Sequence, residues 1–408
     1  MFAPSRATDP LPVVVDAPEP FHVVIAGGGV AALEAALALR TLGAGDIDVT
    51  MIAPGEDFIY RPTSVLEPFA FGPAGRHPLD EIAEDVGVEL VVDSLAWLDA
   101  DQRVAYTAGE LSIGYDALIL ALGATPHPRY EHALTIDDRR IDEILHGLIE
   151  DVEGGYVHRL AFVVPPRLGW PLPIYELALM TARRAYDMNV GLDVKIVTPE
   201  LAPLALFGDR ASAAVAALLT DRGIDLITGS SCEVPDGRHI VVNPGDRRLT
   251  VDRVVALPEL FGPAVRGLPS ADHGFIPIDG LCRVRGVDRV YAAGDATDYP
   301  LKHGGIAAQQ ADTAAQAIAA IAGRAGEPAP LDPTLHGILL TGAAPLQLSA
   351  EIIDGEVSSA AFTGVPNSSP PRKIQARYLA PYLDELDRLE TVATGPTPAP
   401  ATAPAPAS

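Results

Sequence analysis

Gly27, Gly28, Gly29 and Ala32 form a turn with the spacing G-x-G-x-x-G/A. The apolar run Phe21–Ile25 before the turn is typical of a buried parallel strand, and helical spacing follows it. The first glycine permits a tight turn, the second lets the backbone approach a pyrophosphate, and the alanine lets the helix pack close to the sheet. The N–H groups at the helix start then point at phosphates, so the turn predicts a dinucleotide site. An ordinary glycine-rich βα turn is the alternative.

A second stretch of this kind lies near the other end of the chain. Gly294-Asp295 follows the short buried strand Val290–Ala293, and a helix starts near Gly304-Gly305. An aspartate at a strand end can accept hydrogen bonds from the ribityl hydroxyls of a flavin. The helix start, including Ile306, can offer its positive end to the flavin pyrimidine ring, where reduced flavin carries negative charge. The two stretches together predict one FAD site. A second βα unit without a special role is the alternative.

One expected part of such a site is missing. The second strand, Ile47–Ile52, should end in an acidic residue that holds the adenosine ribose, but it runs into Ala53-Pro54. Glu56 or Asp57 could reach back, although charges in such loops are more often solvated. Ribose binding is therefore expected to depend on backbone groups.

Three segments of the chain resemble the pyridine nucleotide-disulfide type of flavoprotein. They are VVIAGGGVAALEAA, YDALILALGATP and VYAAGDATDYPLKHGGIAAQQA, in the family's order, and the similarity extends over about residues 21–323. The chain is most similar to the branch of sulfide:quinone reductases, flavocytochrome c sulfide dehydrogenases and type II NADH dehydrogenases. The resemblance implies that Gly27, Gly29 and Ala32 hold the pyrophosphate and that Asp295 binds the ribityl chain. It also implies that Gly123 ends a return strand at the domain junction and that Pro62 belongs to a loop beside the isoalloxazine ring.

The predicted fold class is α/β, with two Rossmann-like dinucleotide-binding domains and a small C-terminal α+β part. The FAD domain is predicted to be discontinuous, with residues 21–127 and 286–323. Residues 128–285 form the second dinucleotide fold, and residues 328–389 form a C-terminal interface domain. Residues 390–408 are rich in proline and alanine and are predicted to be a disordered tail.

The second domain departs from the pattern of NADH-using relatives, which carry a second G-x-G-x-x-G before a Glu-Leu-Ala helix. Counting back from Glu176-Leu177-Ala178 puts Gly169, Pro171 and Ile174 at the three glycine positions. Proline has no N–H for a phosphate, and isoleucine is too bulky for close packing of helix and strand. We therefore expect no tight nicotinamide site. A different register, with a surviving backbone site, is the alternative.

The same loop is similar to that of the sulfide dehydrogenases, in which a cysteine before a proline faces the flavin. Trp170 stands at that position here, and no cysteine follows the GGIAAQQ helix. A thiolate is the nucleophile of sulfide and disulfide chemistry, so this chemistry has no evident carrier. Trp170 either shapes a pocket near the flavin or packs in the loop. Cys232 and Cys282 have no metal-binding spacing, so no metal is expected, and both are predicted to be plain buried thiols.

The composition restricts the partners and the location. The net charge of −25 argues against nucleic acid or an anionic membrane as a partner. No apolar run approaches the roughly 18 residues of a membrane span, and the start of the chain lacks a signal-peptide pattern, which favours a cytoplasmic protein. Lysine occurs only at positions 195, 302 and 373. Lys302 therefore stands out inside the flavin motif, although a solvated loop lysine is the alternative.

These patterns predict an FAD-dependent oxidoreductase. Electrons enter from a small-molecule donor and leave to a quinone or a redox-protein acceptor, and Lys302 is the candidate catalytic residue, stabilising the anionic reduced flavin or an acceptor oxygen. An NAD(P)H dehydrogenase of the same fold and a non-catalytic flavin-binding scaffold or sensor are the alternatives. A homodimer through the C-terminal part is possible by analogy with the family.

Overall fold

The computed structural model describes residues 20–167, 169–353, 356–363 and 372–393. Within these residues the strands are, in chain order, β1 (Phe21–Ala26), β2 (Ile47–Ile52), β3 (Asp57–Ile59), β4 (Arg76–Pro78), β5 (Glu89–Val91), β6 (Leu95–Asp99), β7 (Val104–Thr107), β8 (Ser112–Gly114), β9 (Ala117–Leu120), β10 (Thr125–His127), β11 (Leu134–Thr135), β12 (Arg159–Val163), β13 (Asp193–Val197), β14 (Ile224–Ile227), β15 (Ser231–Asp236), β16 (His239–Asn243), β17 (Arg247–Thr250), β18 (Arg253–Ala256), β19 (Glu259–Phe261), β20 (Val290–Ala292), β21 (Thr334–Leu339), β22 (Leu346–Ile353) and β23 (Glu356–Thr363). The α-helices are α1 (Val30–Gly43), α2 (Leu79–Val86), α3 (Ile141–Glu153), α4 (Leu172–Asp187), α5 (Gly208–Asp221), α6 (Gly304–Ile321) and α7 (Leu379–Ala393).

The first sheet is parallel and has the strand order β20-β9-β1-β2-β5. Its central strand, β1, is apolar and buried along its carboxyl half, as expected for a strand covered on both faces. Helices α1 and α6 pack on one another, and their buried faces consist mostly of alanine. Small side chains let the two helices approach closely. The helices that follow the two glycine turns are therefore direct neighbours.

The second sheet is also parallel, with the order β11-β18-β12-β13-β14. Helix α4 follows β12, and the fully buried side chains of Tyr175, Phe162 and Phe207 contribute to its core. A three-stranded antiparallel sheet, β15-β16-β17, lies between β14 and β18 in the sequence. Each sheet thus comes from an alternation of strand and helix, and the predicted α/β class with two dinucleotide folds is confirmed.

The chain leaves the first sheet after β9 and returns to it only at β20, which pairs with β9. The short antiparallel pair β10–β19 lies at this crossing. The first sheet is therefore built from two separated parts of the sequence. The predicted domain limits of 21–127 with 286–323, 128–285 and 328–389 stay predictions.

The C-terminal part consists of the antiparallel sheet β21-β22-β23 and helix α7. Leu335, Leu339 and Leu348 of this sheet pack into the core of the second sheet, whereas Leu379 and Leu383 of α7 pack into that of the first. Helix α7 runs to Ala393, so residues 390–393, the first four of the predicted disordered tail, are helical. Residues 394–408, the rest of the predicted tail, lie outside the described residues.

Two features are absent from the residues that the structure describes. No helix there has the length and apolar character needed to cross a bilayer. No group of three or more histidine, cysteine or acidic side chains there is placed to hold a metal ion.

Candidate functional site

The turns after β1, β9 and β20 lie side by side at the carboxyl edge of the first sheet. Gly27 has a φ of +133°, and a Cβ at this position would overlap the carbonyl oxygen of Ala121. The Ala121 N–H donates to Ala26, one residue before the glycine, over 2.8 Å. Only glycine fits this close approach, which joins the first glycine turn to the segment that ends at Gly123.

Gly29 and the start of α1 face open space. A Cβ built on Gly29 would meet no atom within 4 Å, and the residue forms the N-cap of α1 without a side-chain hydrogen bond. Gly28 differs, because its Cβ would lie 2.8 Å from Leu79. The first N–H groups of α1 have no side-chain cap, and Ala32 is fully buried behind them. Open space before uncapped N–H groups is the arrangement that binds a phosphate.

Gly294 and Asp295 bring the second stretch to the same edge. A Cβ on Gly294, whose φ is +77°, would lie 3.5 Å from Ala31 of α1 and 3.2 Å from Ala307 of α6. Its N–H donates to Gln310 over 2.7 Å. The half-buried Asp295 carboxylate has no hydrogen bond or salt bridge to any described residue. Burial raises its pKa to about 6, with Lys302 acting in the opposite direction. Such a carboxylate is available to accept hydrogen bonds from hydroxyl groups of a ligand.

Lys302 is the one lysine that forms no salt bridge within the described part of the chain. Lys195 pairs with Asp193 and Asp225, and Lys373 pairs with Glu176. The Lys302 ammonium instead donates to the carbonyl of Thr297 and lies 3.9 Å above the ring of Phe275. Burial lowers its pKa to about 8, while Asp295 opposes that shift. A desolvated cation outside any salt bridge to the described residues is thus close enough to the free carboxylate for each charge to affect the pKa of the other.

The start of α6 is arranged differently from the prediction. His303 is its N-cap, and the His303 Nδ1 accepts the N–H of Gly305 over 3.1 Å. The Gly305 N–H expected to face a flavin is therefore bonded within the protein. The Ile306 side chain is buried in the core of the second sheet. No sequence pattern singled out His303, although its place directly before a helix is the signal for a cap.

Pro62 follows Arg61 in a 3-10 helix, Arg61–Phe69, that begins after Tyr60. Desolvation lowers the pKa of Arg61, and Arg139 acts in the same direction, while the charges of Asp138, Asp137 and Asp295 oppose the shift. The predicted flavin loop therefore reaches the Asp295 side of the site. Glu56 and Asp57, the acids that follow β2, are both exposed, and their contact with a ribose stays a prediction.

The loop between β12 and α4 lies directly on the flavin motif. The Lys302 N–H donates to the carbonyl of Gly169 over 3.3 Å. The Trp170 ring lies 4.5 Å from the His303 ring at 50° and meets the Phe207 ring edge-on at 5.9 Å. Pro171 is the N-cap of α4, and Ile174 is fully buried one turn later. These residues leave no glycine turn at the start of α4.

A hydrogen bond that the sequence did not reveal joins helix α4 to the end of β13. Glu200 follows β13, at the end of the second strand of its fold, where a dinucleotide ribose would be held. Its carboxylate accepts from the Tyr175 hydroxyl over 2.6 Å and from Thr198 over 3.0 Å. Both Tyr175 and Glu200 are buried. The position of Glu200 at a strand end could have been recognised from the sequence, but its hydrogen bond to α4 could not have been predicted from it.

Glu176, which set the sequence register, is fully buried in an ion pair. Lys373 Nζ lies 2.7 Å from both Glu176 carboxylate oxygens, and the Leu340 N–H donates to Oε1 over 2.9 Å. Burial raises the pKa of Glu176, and Lys373 opposes the shift. The pair ties the segment before α7 to helix α4.

The two cysteines are free and buried, as predicted. Burial raises the pKa of Cys232 to about 12 and also raises that of Cys282. Neither thiol is therefore suited to act as a nucleophile.

The carboxyl edge fits a flavin dinucleotide. Open space at Gly29, uncapped N–H groups and a free carboxylate at Asp295 are the groups that pyrophosphate and ribityl hydroxyls require. The fold and this edge define a two-domain flavin-dependent oxidoreductase. The profile of the pyridine nucleotide-disulphide oxidoreductase family matches residues 21–140 and 176–320, and the chain belongs to this family. It is an FAD-dependent enzyme.

Individual relatives support this assignment. An NADH dehydrogenase-like protein of Mycobacterium tuberculosis is 28% identical over 298 residues, which cover 67% of this chain and 72% of the relative. The sulfide:quinone oxidoreductase of Aquifex aeolicus has a similar structure, with a TM-score of 0.77, 17% identity and 91% of each chain covered. A ferredoxin reductase of Rhodopseudomonas palustris has a TM-score of 0.61, 19% identity and coverage of 81% of this chain and 82% of its own. The contacts of individual residues with FAD stay predictions.

Proposed function

We propose that this protein passes electrons from a small-molecule donor through FAD to a quinone or a redox-protein acceptor. The observation that carries the proposal is the pair formed by Asp295 and Lys302. Both groups lie at the carboxyl edge of the first sheet, both are desolvated, and neither is in a salt bridge with another described residue. Groups of this kind cluster where a protein binds and stabilises charge.

FAD supplies the redox chemistry when it is bound. In this proposal the start of α1, with Gly27 and Gly29, holds the pyrophosphate, and Asp295 accepts from ribityl hydroxyls. Lys302 keeps a positive charge close to the place where negative charge develops on reduction. A cation fixed in a low-dielectric site interacts with such charge more strongly than it would in water.

The donor in this proposal is not a nicotinamide nucleotide. Pro171 and Ile174 stand where a phosphate-binding turn would need glycines, and Glu200 is bonded to Tyr175 at the end of β13. The donor does not react through a cysteine either, because both thiols are buried. NADH oxidation is the second candidate function, because the mycobacterial relative is named as NADH dehydrogenase-like. We also propose that the protein is cytoplasmic and forms a homodimer.

Reduction and reoxidation of the purified holoenzyme test the proposal in two separate halves. NADH, NADPH and a panel of small reductants are mixed with the oxidised enzyme under anaerobic conditions, and bleaching of the flavin absorbance identifies the donor. Photoreduced enzyme is then mixed with short-chain quinones or with a ferredoxin, and the return of the absorbance identifies the acceptor. Rapid bleaching by NADH would establish the second candidate instead. FAD that stays bound while no pair reacts would point to a scaffold or sensor.

Lys302→Gln tests the catalytic role in the same assay. We expect reoxidation by the acceptor to slow about ten- to a hundredfold, because a charge-assisted interaction is lost. Lys195→Gln is the matched control, since Lys195 lies in β13 and pairs only with Asp193 and Asp225. A Lys302→Gln enzyme with unchanged flavin potential and unchanged rates would remove Lys302 from the mechanism.

A further inference from the structure

Helix α6 carries two neighbouring glutamines with different partners. The Gln309 Nε2 donates to the carbonyls of Gly305 and Thr334, over 3.0 and 2.8 Å, and its Oε1 accepts the Thr334 N–H over 2.9 Å. Gln309 therefore ties α6 to the C-terminal sheet. Gln310 is only 1% exposed, and its Oε1 accepts the Gly294 N–H over 2.7 Å. The second glutamine therefore ties the same helix to the turn after β20.

Thr297 holds the other polar group of the same glycine. The N–H and the hydroxyl of Thr297 both donate to the Gly294 carbonyl, over 3.1 and 2.9 Å. Thr297 is fully buried, so these bonds lie in a low-dielectric interior, where a hydrogen bond is stronger than in water. Gln310 and Thr297 thus fix both the N–H and the carbonyl of Gly294.

The carboxylate that follows this glycine is held only by its backbone. The Asp295 side chain has no hydrogen bond or salt bridge to a described residue, so the preceding turn decides where it points. Glycine is the least restricted residue, and Gly294 has a φ of +77°. Without the two side-chain contacts this turn would be free to rotate, and the carboxylate would move with it.

The amide nitrogen of Gln310 shows that packing alone does not explain the residue. The atom that faces the Gly294 N–H must be the oxygen, which leaves Nε2 on the other side of the carboxamide. Nε2 is buried and has no hydrogen-bond partner among the described residues. A buried donor without a partner is destabilising, and an apolar side chain of the same length would avoid that penalty. The oxygen is therefore the group that this position requires.

We propose that Gln310 and Thr297 are positioning residues that aim the Asp295 carboxylate at the ribityl hydroxyls of FAD. Both act through the backbone of Gly294, and neither is assigned a contact with the flavin. The inference rests on the proposed function, because it uses the ribityl role of Asp295. The carbonyl of Thr297 also accepts from the Lys302 ammonium, so one turn fixes the positions of both charges.

Two isosteric substitutions remove the two contacts one at a time. Gln310→Met keeps the length of the side chain and removes the acceptor, and Thr297→Val removes the hydroxyl but leaves the backbone carbonyl. We expect the holoenzyme of each variant to release FAD about tenfold faster than the wild type, because a displaced carboxylate loses hydrogen bonds to the cofactor. Flavin fluorescence after dilution measures the release.

Gln309→Met is the matched control on the same helix. It loses the bonds to Thr334 in the C-terminal sheet, so its melting temperature should fall while its rate of FAD release stays that of the wild type. Release as fast in Gln309→Met as in Gln310→Met would reduce Gln310 to a stabilising contact and overturn the inference.

A double-mutant cycle tests whether Gln310 acts through Asp295. If it does, Asp295→Asn/Gln310→Met should release FAD no faster than the faster of the two single variants. Additive effects would show that Gln310 acts independently of Asp295 and would overturn the inference. The midpoint potential of the bound flavin is a second readout. It should be lower in Gln310→Met than in the wild type, because Lys302 moves with the turn and stabilises the reduced flavin less.

The outcomes distinguish this inference from the proposed function beneath it. If Gln310→Met and Thr297→Val keep the wild-type release rate and potential while Asp295→Asn releases FAD faster, the inference alone is overturned. If Asp295→Asn also releases FAD at the wild-type rate, the ribityl role of Asp295 in the proposed function is overturned together with the inference.

Discussion

The hydroxyl of Tyr175 lies 2.6 Å from the carboxylate of Glu200 and joins helix α4 to the end of β13 inside the second domain. An acid at this strand end holds a ribose in dinucleotide folds. Here the acid faces inward, its pKa is raised mainly by desolvation, and the tyrosine partly offsets that cost. The bond therefore turns a potential ligand-binding group into part of the core.

Tyr175→Phe should lower the free energy of unfolding by about 1–3 kcal/mol, because a buried carboxylate loses a hydrogen bond. Urea unfolding of the purified protein measures the change. Tyr156→Phe is the control, since Tyr156 is 79% exposed. Equal midpoints for the two variants would show that the bond does not contribute to stability.

Gly29→Ala should separate folding from cofactor binding. The added methyl group meets no protein atom within 4 Å, so the apoprotein should keep its stability to within about 1 kcal/mol, the scale of an N-cap change. The same methyl group would occupy the space before the α1 N–H groups, so FAD should bind about tenfold more weakly or worse. Titration of apoprotein with FAD measures the affinity.

Gly27→Ala is the counterpart of that substitution. Its methyl group would overlap the Ala121 carbonyl oxygen at a backbone φ of +133°, so we expect misfolded or insoluble protein. Normal expression of Gly27→Ala with bound FAD would contradict the close approach of the two turns.

Lys373→Ala should destabilise the protein by about 3–5 kcal/mol near neutral pH, because Glu176 would remain buried without its partner. Burial already raises the pKa of Glu176 in the fold. A raised pKa means that protonation favours the folded state, so the loss should shrink as the pH falls. Unfolding at several pH values measures this, and Glu176→Gln/Lys373→Ala should show no such pH dependence. A constant loss at every pH would argue that the lysine contributes only packing.

Asp295→Asn should stabilise the apoprotein and weaken FAD binding. The folded pKa of about 6 exceeds the ordinary value of 3.8, so ionisation of Asp295 costs stability as the pH rises from about 4 through 6. The variant avoids this cost and should be more stable by up to about 3 kcal/mol above pH 7, with the gain vanishing near pH 4. Asp288→Asn, at an exposed site, is the control. Equal FAD affinity of Asp295→Asn and wild type would exclude the ribityl role.

The sequence predicted the parts of this protein that depend on local pattern. Strand, glycine turn and helix follow one another at Gly27 and again at Gly294, and both strands lie in the first parallel sheet. Apolar runs and glycines carry this information within a dozen residues, and the resemblance to a known family supplied the two-domain arrangement.

The parts that sequence reasoning missed depend on contacts between distant residues. The partner of Glu176 is 197 residues away, and that of Glu200 lies on another element. Which N–H a capping side chain takes, as at His303 and Gly305, depends on a rotamer and not on spacing. The sequence also could not show that the Asp295 carboxylate has no partner among the described residues, because this depends on the positions of all its neighbours.

One carboxylate links the beginning of the chain to its end. Glu34 lies fully buried in α1 and accepts the backbone N–H groups of Arg377, Tyr378 and Leu379 at the start of α7. During synthesis on the ribosome, the helix after the first glycine turn must therefore wait for more than three hundred further residues before this charge is satisfied. Until residues 377–379 have been made, a nascent chain holds an unsatisfied acid on the helix behind its own phosphate-binding turn. We expect capture of the flavin to follow the synthesis of α7, and newly made protein to pass through a period as a colourless apoprotein until α7 has docked on α1.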